Sequence, residues 1–381
     1  MGEVTRIFVV AGEASGDKLG QAVMRGVKSL RGQVLFAGVG GPLMEAEGLN
    51  SLFPMSELSV MGLSEVLPKY RSLVRRKDET VAAVLDFQPD ILLTIDSPDF
   101  CKRVAQQVRS ANRATRIVHY VAPSVWAWRP KRAEKLAKFT DKVLTLLPFE
   151  PDLMRSAGME AEFVGHPVVS EIRPTEADIS TFRQAHGLGS AALLLLLPGS
   201  RQGEVKRLSQ RFGSAAQAIL KVQPSMRAVV VVADAADEFL SANTQLFPPD
   251  TLFLRPSGED EKRAAFAASE VALAASGTVS LELAAAETPM VIGYDMACLS
   301  RVIMGRMLLI DTVTLVNLVS ETRAVPEYIG RNCTSENLAR AVLDVLSEPD
   351  AQTAAMHVTM ERLGAGGEAP GVRAAKALLA D

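Results

Sequence analysis

Short, continuous apolar runs that end in small or turn-forming residues are the feature that most constrains the fold of this chain. Each run precedes a longer stretch with helical periodicity, and strands covered by helices on both faces of a parallel sheet have this composition. The candidate strands are residues 7–11, 34–37, 91–95, 117–121 and 143–147, then 193–197, 228–233, 252–254, 271–274 and 290–294. The sequence therefore predicts an α/β fold built from doubly wound parallel sheets.

A turn-rich stretch around residues 165–175 separates the two sets of strands. We expect a Rossmann-like domain over residues 1–168 and a second one over residues 169–364, with a C-terminal helix over about 365–381 that crosses back to the first. Open α/β sheets bind ligands at the carboxyl ends of their strands. Two such domains should therefore bind their ligands in a cleft between them.

Charge, cysteine usage and hydropathy exclude several classes of protein. The 41 Lys and Arg balance 44 Asp and Glu, so no overall basic field attracts nucleic acid. Cys101, Cys298 and Cys333 include no CxxC pair, which argues against a disulfide framework or a zinc knuckle and favours a reducing cytoplasm. No apolar run approaches the ~20 residues of a membrane span, and the first is too short for a signal peptide.

A small, polar loop follows the first strand and opens a helix. Such a loop aims backbone N–H groups and a hydroxyl at a ligand above the sheet, but the GxGxxG spacing of a dinucleotide site is missing. A purely structural turn with a helix cap explains the loop equally well. The candidate ligand-binding residues here are Gly12, Glu13, Ser15, Gly16 and Asp17.

Two helix starts in the second half suit an anion. Small residues let a phosphate approach the backbone, and the first start adds a fixed cation, so the pattern favours a nucleoside diphosphate over solvated loops and a simple cap. Glu282 lies four residues beyond Thr278, where a carboxylate could accept hydrogen bonds from a ribose. The candidates are Gly199, Ser200 and Arg201 at the first start and Ser276, Gly277 and Thr278 at the second.

Asp96 and Asp99 stand at the carboxyl end of the strand over residues 91–95. A carboxylate facing a partly dry cleft has a raised pKa and can act as a general base. Pro98 between the two carboxylates and only four scattered histidines argue against a metal site. Asp96, the first residue after the strand, is the stronger catalytic candidate, whereas Asp99 also suits a helix cap.

Two further segments combine basic and apolar residues. Trp126 and Trp128 lie in a basic stretch that could stack bases, hold a phosphorylated sugar or sit at a membrane interface. Residues 66–77 form a basic amphipathic helix that could lie on an anionic bilayer, although an ordinary helix packed on its sheet has the same pattern. Its candidate docking residues are Val66, Leu67, Tyr70, Leu73, Val74, Arg71, Arg75 and Arg76.

Taken in order, these blocks resemble the lipid-A-disaccharide synthase family, bacterial glycosyltransferases that join two acylated glucosamines. The similarity covers nearly the whole chain and weakens after about residue 301. The matching blocks are residues 10–17, 41–44, 60–62, 95–100, 119–128, 147–150, 165–166, 197–201, 275–282 and 315–318.

The resemblance implies a GT-B fold, inversion at the donor's anomeric carbon, and no metal or other cofactor. The donor would be UDP-2,3-diacylglucosamine and the acceptor 2,3-diacylglucosamine 1-phosphate, giving a β-1,6-linked disaccharide 1-phosphate and UDP. Asp96 matches the catalytic base and Arg201 the essential arginine at the diphosphate. Glu282 and Asn317 match donor-nucleotide contacts, while residues 12–17 and Trp126 would lie on the acceptor side.

The resemblance also implies a cellular location. The protein would be a peripheral protein on the inner face of the cytoplasmic membrane of a Gram-negative bacterium, docked through the helix of residues 66–77. It allows a homodimer built through C-terminal elements. Two alternatives stay open, another GT-B UDP-sugar transferase or UDP-sugar 2-epimerase, and a non-catalytic nucleotide- or lipid-binding protein at the membrane. The tryptophan block and the residues around Asp96 weigh against another UDP-sugar enzyme.

Overall fold

A computed structural model describes residues 4–58, 63–296 and 310–380, with backbone alone for residues 63–69 and Pro98. The chain divides into two compact units. Unit 1 comprises Met1–Ser170 and Gly366–Asp381, and unit 2 comprises Glu171–Ala365. The first crossing thus lies two residues after the predicted position, and the chain returns to unit 1 for its last helix.

Unit 1 is built on a six-stranded sheet in which all strands are parallel, in the order β2-β1-β3-β4-β5-β6. All five residues of β3 are buried, as its unbroken apolar sequence requires when helices cover both faces. The strands are β1 (Thr5–Ala11), β2 (Val34–Val39), β3 (Ile91–Ile95), β4 (Arg116–Tyr120), β5 (Lys142–Thr145) and β6 (Glu160–Phe163).

Helices pack on both faces of this sheet and enclose two cores. One core contains side chains of the third to sixth helices, and the other contains those of the first two and of the C-terminal helix. The helices are α1 (Ala14–Leu30), α2 (Pro42–Ala46), α3 (Leu63–Phe87), α4 (Pro98–Ala111), α5 (Lys131–Leu136), α6 (Glu150–Ser156) and, at the C-terminal end, α15 (Pro370–Leu379).

The C-terminal helix α15 lies directly against α1. A Cβ atom on Gly26 of α1 would come within 2.7 Å of the carbonyl oxygen of Gly371 and within 2.9 Å of the Cβ of Ala375. A Cβ on Gly371 would in turn meet Ala22 at 2.8 Å. The two helices therefore approach so closely that only glycine fits at these positions.

Unit 2 repeats the design with the strand order β12-β11-β10-β7-β8-β9, again entirely parallel. The strands are β7 (Leu193–Leu197), β8 (Arg227–Val231), β9 (Leu252–Leu254), β10 (Val271–Ala274), β11 (Met290–Tyr294) and β12 (Glu327–Ile329). Its helices are α7 (Glu176–Ala185), α8 (Gln202–Val222), α9 (Asp237–Ala242), α10 (Glu259–Ala267), α11 (Val279–Ala285), α12 (Leu315–Ser320), α13 (Ser335–Ser347) and α14 (Asp350–Arg362).

The predicted α/β class is confirmed. The ten predicted strands are all present, several with the predicted ends, while β6 and β12 were missed. Both missed strands are short sheet edges with at most one buried residue, and their sequences lack the apolar run that identifies a covered strand. In the part of the chain that the structure describes, no helix has the length and apolar character needed to cross a membrane.

Candidate functional site

Each sheet has one point at which the strand order reverses direction. In unit 1 the reversal lies between β1 and β3, and in unit 2 it lies between β7 and β10. Ligands of open α/β sheets bind outside the carboxyl ends of the strands at such a switch point. Gly12 and Asp96 follow the two strands of the first switch, and Gly199 and Ser276 follow those of the second.

Asp96 lies half-buried at the end of β3 in an unusual backbone conformation. Asp96 and Ser97 have φ angles of 48° and 43°, a left-handed conformation that is uncommon for non-glycine residues and often marks a functional site. The Asp96 N–H donates to the carbonyl of Tyr120 at 3.0 Å, which fixes the turn. Two consecutive residues thus hold a strained turn that presents the carboxylate.

The environment of Asp96 suits a proton acceptor. Burial raises the pKa of the Asp96 carboxyl, while the Ser97 N–H and the Ser15 hydroxyl, which donates at 3.5 Å, oppose the rise. A carboxylate with a raised pKa and few hydrogen bonds is a stronger base than one in water. The predicted candidates Ser15 and Asp96 are therefore brought together.

Gly12 allows the loop after β1 to approach the turn at Asp96. A Cβ atom on Gly12 would lie 2.3 Å from the Ser97 hydroxyl oxygen, so no larger residue fits. Gly16 similarly lets α1 pack close to β1 and β3, because its Cβ would lie 3.2 Å from that of Ala11. Glu13 is half-buried at the N-cap position of α1 and Ser15 is exposed.

Asp17, a predicted acceptor-side residue, has a structural role at the start of α2. Its buried carboxylate accepts hydrogen bonds from the N–H groups of Gly41 at 2.9 Å and of Leu43 and Met44 at 3.0 Å. These are free donors at the start of α2, whose N-cap residue, Gly41, has no side chain to satisfy them. The Asp17 carboxylate thus holds the start of α2 against α1, and its contact with the acceptor stays a prediction.

Trp126 is anchored by a buried carboxylate that the sequence did not reveal. Its indole N–H donates to Glu150 at 3.2 Å, and its ring packs edge-on against Phe149. Glu150 also accepts from the N–H groups of Leu146 and Leu147. Burial raises the pKa of Glu150 to about 7 despite these donors. The contact fixes one edge of Trp126 and leaves the half-buried ring beside the carboxyl end of the sheet.

Unit 2 holds a cavity of about 410 Å³ at its switch point. Five of the predicted donor-site residues line it: Gly199, Ser200, Gly277, Thr278 and Glu282. The left-handed φ of 122° at Gly199 favours glycine, and a Cβ there would lie 2.9 Å from Glu204. The predicted phosphate loop and ribose-binding carboxylate thus share one cavity.

The sequence missed other residues of this cavity, including Asp234, Pro256, Gly258 and Lys262. Lys262 forms an ion pair with Glu282 at 2.5 Å. Burial alone would lower the pKa of Lys262, but the carboxylates of Glu282 and Glu259 outweigh it, so the pKa is raised. Lys262 lies on α10 among acidic residues, where no spacing pattern distinguishes it from a solvated lysine.

Arg201 and Ser276 border the cavity without lining it. Arg201 is the N-cap residue of α8, beside Ser200, and its side chain is two-thirds exposed. Its guanidinium lies 3.8 Å from Glu204, a weak contact that leaves it able to move. The positive end of α8 and a mobile cation therefore stand at one side of the phosphate loop.

Asn317 has a structural role as well. It is buried, its amide nitrogen donates to the Val325 carbonyl at 2.9 Å, and its amide oxygen accepts from the Val325 N–H at 3.0 Å. The nitrogen also reaches Thr312 at 3.3 Å. This side chain therefore holds the segment between α12 and β12, and its contact with the donor nucleotide stays a prediction.

The helix α3 contains the predicted docking face. Tyr70, Arg71 and Arg75 are exposed, whereas Leu73 and Val74 are half-buried and Leu73 packs against the core. Arg76 is not a free cation. Its guanidinium pairs with Glu57 at 2.6 Å and Glu79 at 2.8 Å and stacks on Phe53. The side chains of Val66 and Leu67 lie outside the described structure, as does the predicted block over residues 60–62.

Among the described residues, no group of three or more His, Cys, Asp or Glu side chains is arranged to hold a metal ion. The two switch points thus present a half-buried carboxylate with a raised pKa in unit 1 and a cavity lined by small residues, Lys262 and Glu282 in unit 2.

Comparison with known proteins shows which family this chain resembles. A family model described as lipid-A-disaccharide synthetase matches residues 7–379. The lipid-A-disaccharide synthase of Ruegeria pomeroyi is 56% identical over 99% of this chain and 96% of its own length. That of Rhodospirillum centenum is 44% identical over 98% of this chain and 94% of its own.

Solved structures show the same fold at much lower identity. UDP-GlcNAc 2-epimerase from Neisseria meningitidis, bound to UDP-GlcNAc, matches 98% of both chains with a TM-score of 0.64 and 11% identity. A putative UDP-N-acetylglucosamine 2-epimerase from Listeria monocytogenes matches 99% of this chain and 95% of its own with a TM-score of 0.63 and 13% identity. The GT-B class, with two Rossmann-like units, is thereby confirmed.

Proposed function

The chain belongs to the lipid-A-disaccharide synthase family and is a glycosyltransferase of lipid A biosynthesis, and on that premise we propose its substrates and its working residues. The donor is UDP-2,3-diacylglucosamine and the acceptor 2,3-diacylglucosamine 1-phosphate, joined by a β-1,6 bond with inversion. The likeness to UDP-GlcNAc 2-epimerases concerns the fold alone, because the identity is 11–13%.

Asp96 is the general base of this reaction. It takes the proton from the acceptor's 6-hydroxyl as that oxygen attacks the donor's anomeric carbon, and the bond to the diphosphate breaks with its electron pair on UDP. The single observation that carries the role is the half-buried carboxylate on a left-handed turn at the switch point of unit 1. Proton transfer by such a group contributes roughly 10²- to 10⁴-fold to the rate.

The cavity of unit 2 binds the UDP part of the donor. The small residues at Gly199, Ser200, Gly277 and Thr278 admit the diphosphate, and Glu282 accepts from the ribose hydroxyls. Arg201 turns toward the diphosphate and neutralises the charge that grows on it as UDP leaves. Lys262 pairs with Glu282 at one side of the cavity and orients that carboxylate for the ribose.

Turnover of both lipid substrates in detergent with EDTA tests this assignment. We expect Asp96→Asn to lower kcat by roughly 10²- to 10⁴-fold while the Kd for UDP stays unchanged. Asp152→Asn, which changes an exposed carboxylate of the same unit, serves as the control and should match the wild type. Near-normal turnover by the Asp96 variant would remove the proposed base.

We also propose that the protein docks on the inner face of the cytoplasmic membrane through the exposed side chains Tyr70, Arg71 and Arg75 of α3. A charged, partly apolar helix face binds anionic bilayers. Arg71→Glu with Arg75→Glu should abolish cosedimentation with anionic vesicles, whereas Lys221→Glu, on the exposed surface of unit 2, should not. A homodimer through C-terminal elements stays a prediction.

A further inference from the structure

A second and larger cavity lies wholly within unit 1, between α4, α5 and the loop that joins β4 to α5. Its volume of about 710 Å³ falls in the range of roughly 300–1,000 Å³ typical of small-molecule sites. The lining residues are Thr94, Asp99, Cys101, Lys102, Ala105, His119, Pro123, Arg129, Pro130, Lys131, Arg132, Lys135, Leu136, Phe139 and Thr140.

The inner wall of this cavity is apolar. Ala105 of α4, Leu136 of α5 and Phe139 are buried side chains whose surfaces face it. Cys101 adds a buried thiol whose pKa is raised by burial, so it remains neutral. A wall of this kind stabilises a hydrocarbon chain by removing it from water.

The outer rim carries five cations, Lys102, Arg129, Lys131, Arg132 and Lys135. Arg129 and Arg132 stack on the Trp128 ring at 4.2 and 5.0 Å, which orients their guanidinium groups. None of the five forms an ion pair with another described residue, and Asp99 is the sole acidic side chain among the lining residues. This excess of positive charge attracts an anion to the mouth of the cavity.

The floor contains a polar group with no partner. The hydroxyl of Thr140 is buried and makes no hydrogen bond within the described structure. Its neighbours, Thr94 and His119, bond to each other at 2.8 Å, and burial lowers the pKa of His119 to about 4, so the ring is neutral near pH 7. Buried hydroxyls are nearly always hydrogen-bonded, which points to a bound molecule that reaches Thr140.

The cavity adjoins the proposed base. Thr94 lies on β3, two residues before Asp96, and the charge of Asp96 contributes to the raised pKa of Cys101, which lines the cavity. Thr94 and Cys101 therefore place this cavity next to the turn that carries the proposed base.

We propose that this cavity binds the acceptor as an acylated sugar phosphate, with its phosphate on the cationic rim and one acyl chain against Ala105, Leu136 and Phe139. The inference rests on the proposed function and adds the site at which the second substrate sits. The same rim chemistry would suit the headgroup of an anionic phospholipid, and the experiment separates these two sources.

The test is the double variant Lys131→Glu with Lys135→Glu, compared with Lys138→Glu, an exposed lysine next to α5 that does not line the cavity. In neutral detergent micelles, the full-length double variant should show an acceptor KM raised about tenfold or more, with unchanged donor KM and UDP affinity. This increase in the acceptor KM should vanish for an acceptor that lacks the phosphate. The control should behave as the wild type with both acceptors.

A second variant, Ala105→Phe, fills the apolar part and probes the acyl chain. We expect it to raise the KM of the long-chain acceptor about tenfold and to leave that of a short-chain acceptor near the wild-type value. Equal effects on both chain lengths would overturn the assignment of the acyl chain to the apolar wall. For the double variant, an equal increase in KM with the phosphate-free acceptor would overturn the assignment of the phosphate to the rim.

Calorimetry measures the binding of 2,3-diacylglucosamine 1-phosphate without any sugar transfer, so it tests the proposed site separately from the proposed reaction. If the wild type binds this lipid and the double variant does not, the site stands even where no sugar is transferred, and only the proposed function fails. If the double variant binds it normally and loses activity solely on anionic vesicles, the rim serves membrane phospholipid and the proposal is overturned.

Discussion

At the scale of single residues, Ser15 and Asp96 at the end of β3 together determine the pH range in which Asp96 is deprotonated and can act as the proposed base. Burial raises the pKa of Asp96, and the Ser15 hydroxyl and the Ser97 N–H lower it by bonding to the charged form. A general base acts only when deprotonated, so activity falls as the pH drops through this pKa. Each donor therefore extends activity toward lower pH.

Ser15→Ala removes one of these donors, and we expect the acidic limb of the kcat profile to move to higher pH because the Asp96 pKa rises further. Ser110→Ala, on the exposed face of α4, is the control. A downward or absent shift of the limb in the Ser15 variant, measured from pH 4 to 9, would contradict the role of this hydroxyl.

Glu150 makes unit 1 less stable as the pH rises. Its pKa of about 7 in the folded protein exceeds its ordinary 4.5, so between these values the folded state holds a proton that the unfolded state has lost. The contribution is fully present below pH 4.5 and is lost as the pH rises through 7. At about 1.4 kcal/mol per pKa unit, the loss is about 3 kcal/mol.

Glu150→Gln should remove this dependence. Urea unfolding at pH 5 and pH 8, followed by the fluorescence of Trp126 and Trp128 in unit 1, gives the difference between variant and wild type at each pH. We expect that difference to move by about 3 kcal/mol in favour of the variant at pH 8. Any cost of the substitution that does not depend on pH cancels in this comparison, and the amide oxygen of a glutamine can still accept from the Trp126 indole N–H. A constant difference would show that Glu150 does not titrate in this range.

The residues that sequence reasoning could identify are those whose position is fixed by the end of a strand. Asp96, Gly199 and Thr278 follow apolar runs, and parallel strands bring their carboxyl ends to one edge. Asp17 and Asn317 lie in equally conspicuous positions but turn inward to bond backbone groups. Only the three-dimensional structure shows which polar side chains are already hydrogen-bonded to the protein's own backbone.

At the scale of elements, strands with a continuous apolar run could be predicted from the sequence, whereas the two edge strands without such a run, β6 and β12, could not. The run over Leu193–Leu197 is buried on both faces and was predicted to the residue, whereas Glu160–Phe163 alternates exposed and buried positions. Lys262 and the cavity of unit 1 were missed for a related reason, since both depend on how separate helices pack. Local sequence patterns carry no record of such tertiary contacts.

The contact between α1 and α15 yields a prediction at this scale. Gly26→Ala places a Cβ 2.7 Å from the Gly371 carbonyl oxygen and should destabilise unit 1 by about 1–2 kcal/mol, because overpacking outweighs the gain in helix propensity. Gly32→Ala, whose Cβ would meet nothing within 4 Å, should change the unfolding free energy by less than about 0.5 kcal/mol. Urea unfolding followed by tryptophan fluorescence measures both, and equal stabilities would argue against the close contact.

At the scale of the whole molecule, one architecture is used twice, and each copy has its own core. The core lined by Phe212 belongs entirely to unit 2, and those lined by Phe8 and Tyr120 belong to unit 1. In both, the candidate residues follow the two strands at which the order reverses. The division of labour that we propose, a base in one unit and a nucleotide cavity in the other, follows this division of the chain.

Deletion of residues 366–381 should therefore damage one unit and spare the other. Unit 1 would lose the buried side chains Ala374, Ala375 and Leu378 and expose the groove at Gly26. We expect the tryptophan-monitored unfolding of unit 1 to lose its cooperativity, while UDP still binds the cavity of unit 2 with near wild-type Kd. Loss of UDP binding together with unit 1 would contradict the independence of the two cores.

The return of the chain to unit 1 has a consequence for how the molecule is made. Domains usually fold in the order in which they leave the ribosome, but the core that α1 shares with α15 stays open until residues 370–379 have been synthesised. Unit 2, finished earlier, can fold first, although it begins later in the gene. During translation the growing chain would thus contain a complete unit 2 before unit 1, whose core needs α15, can close.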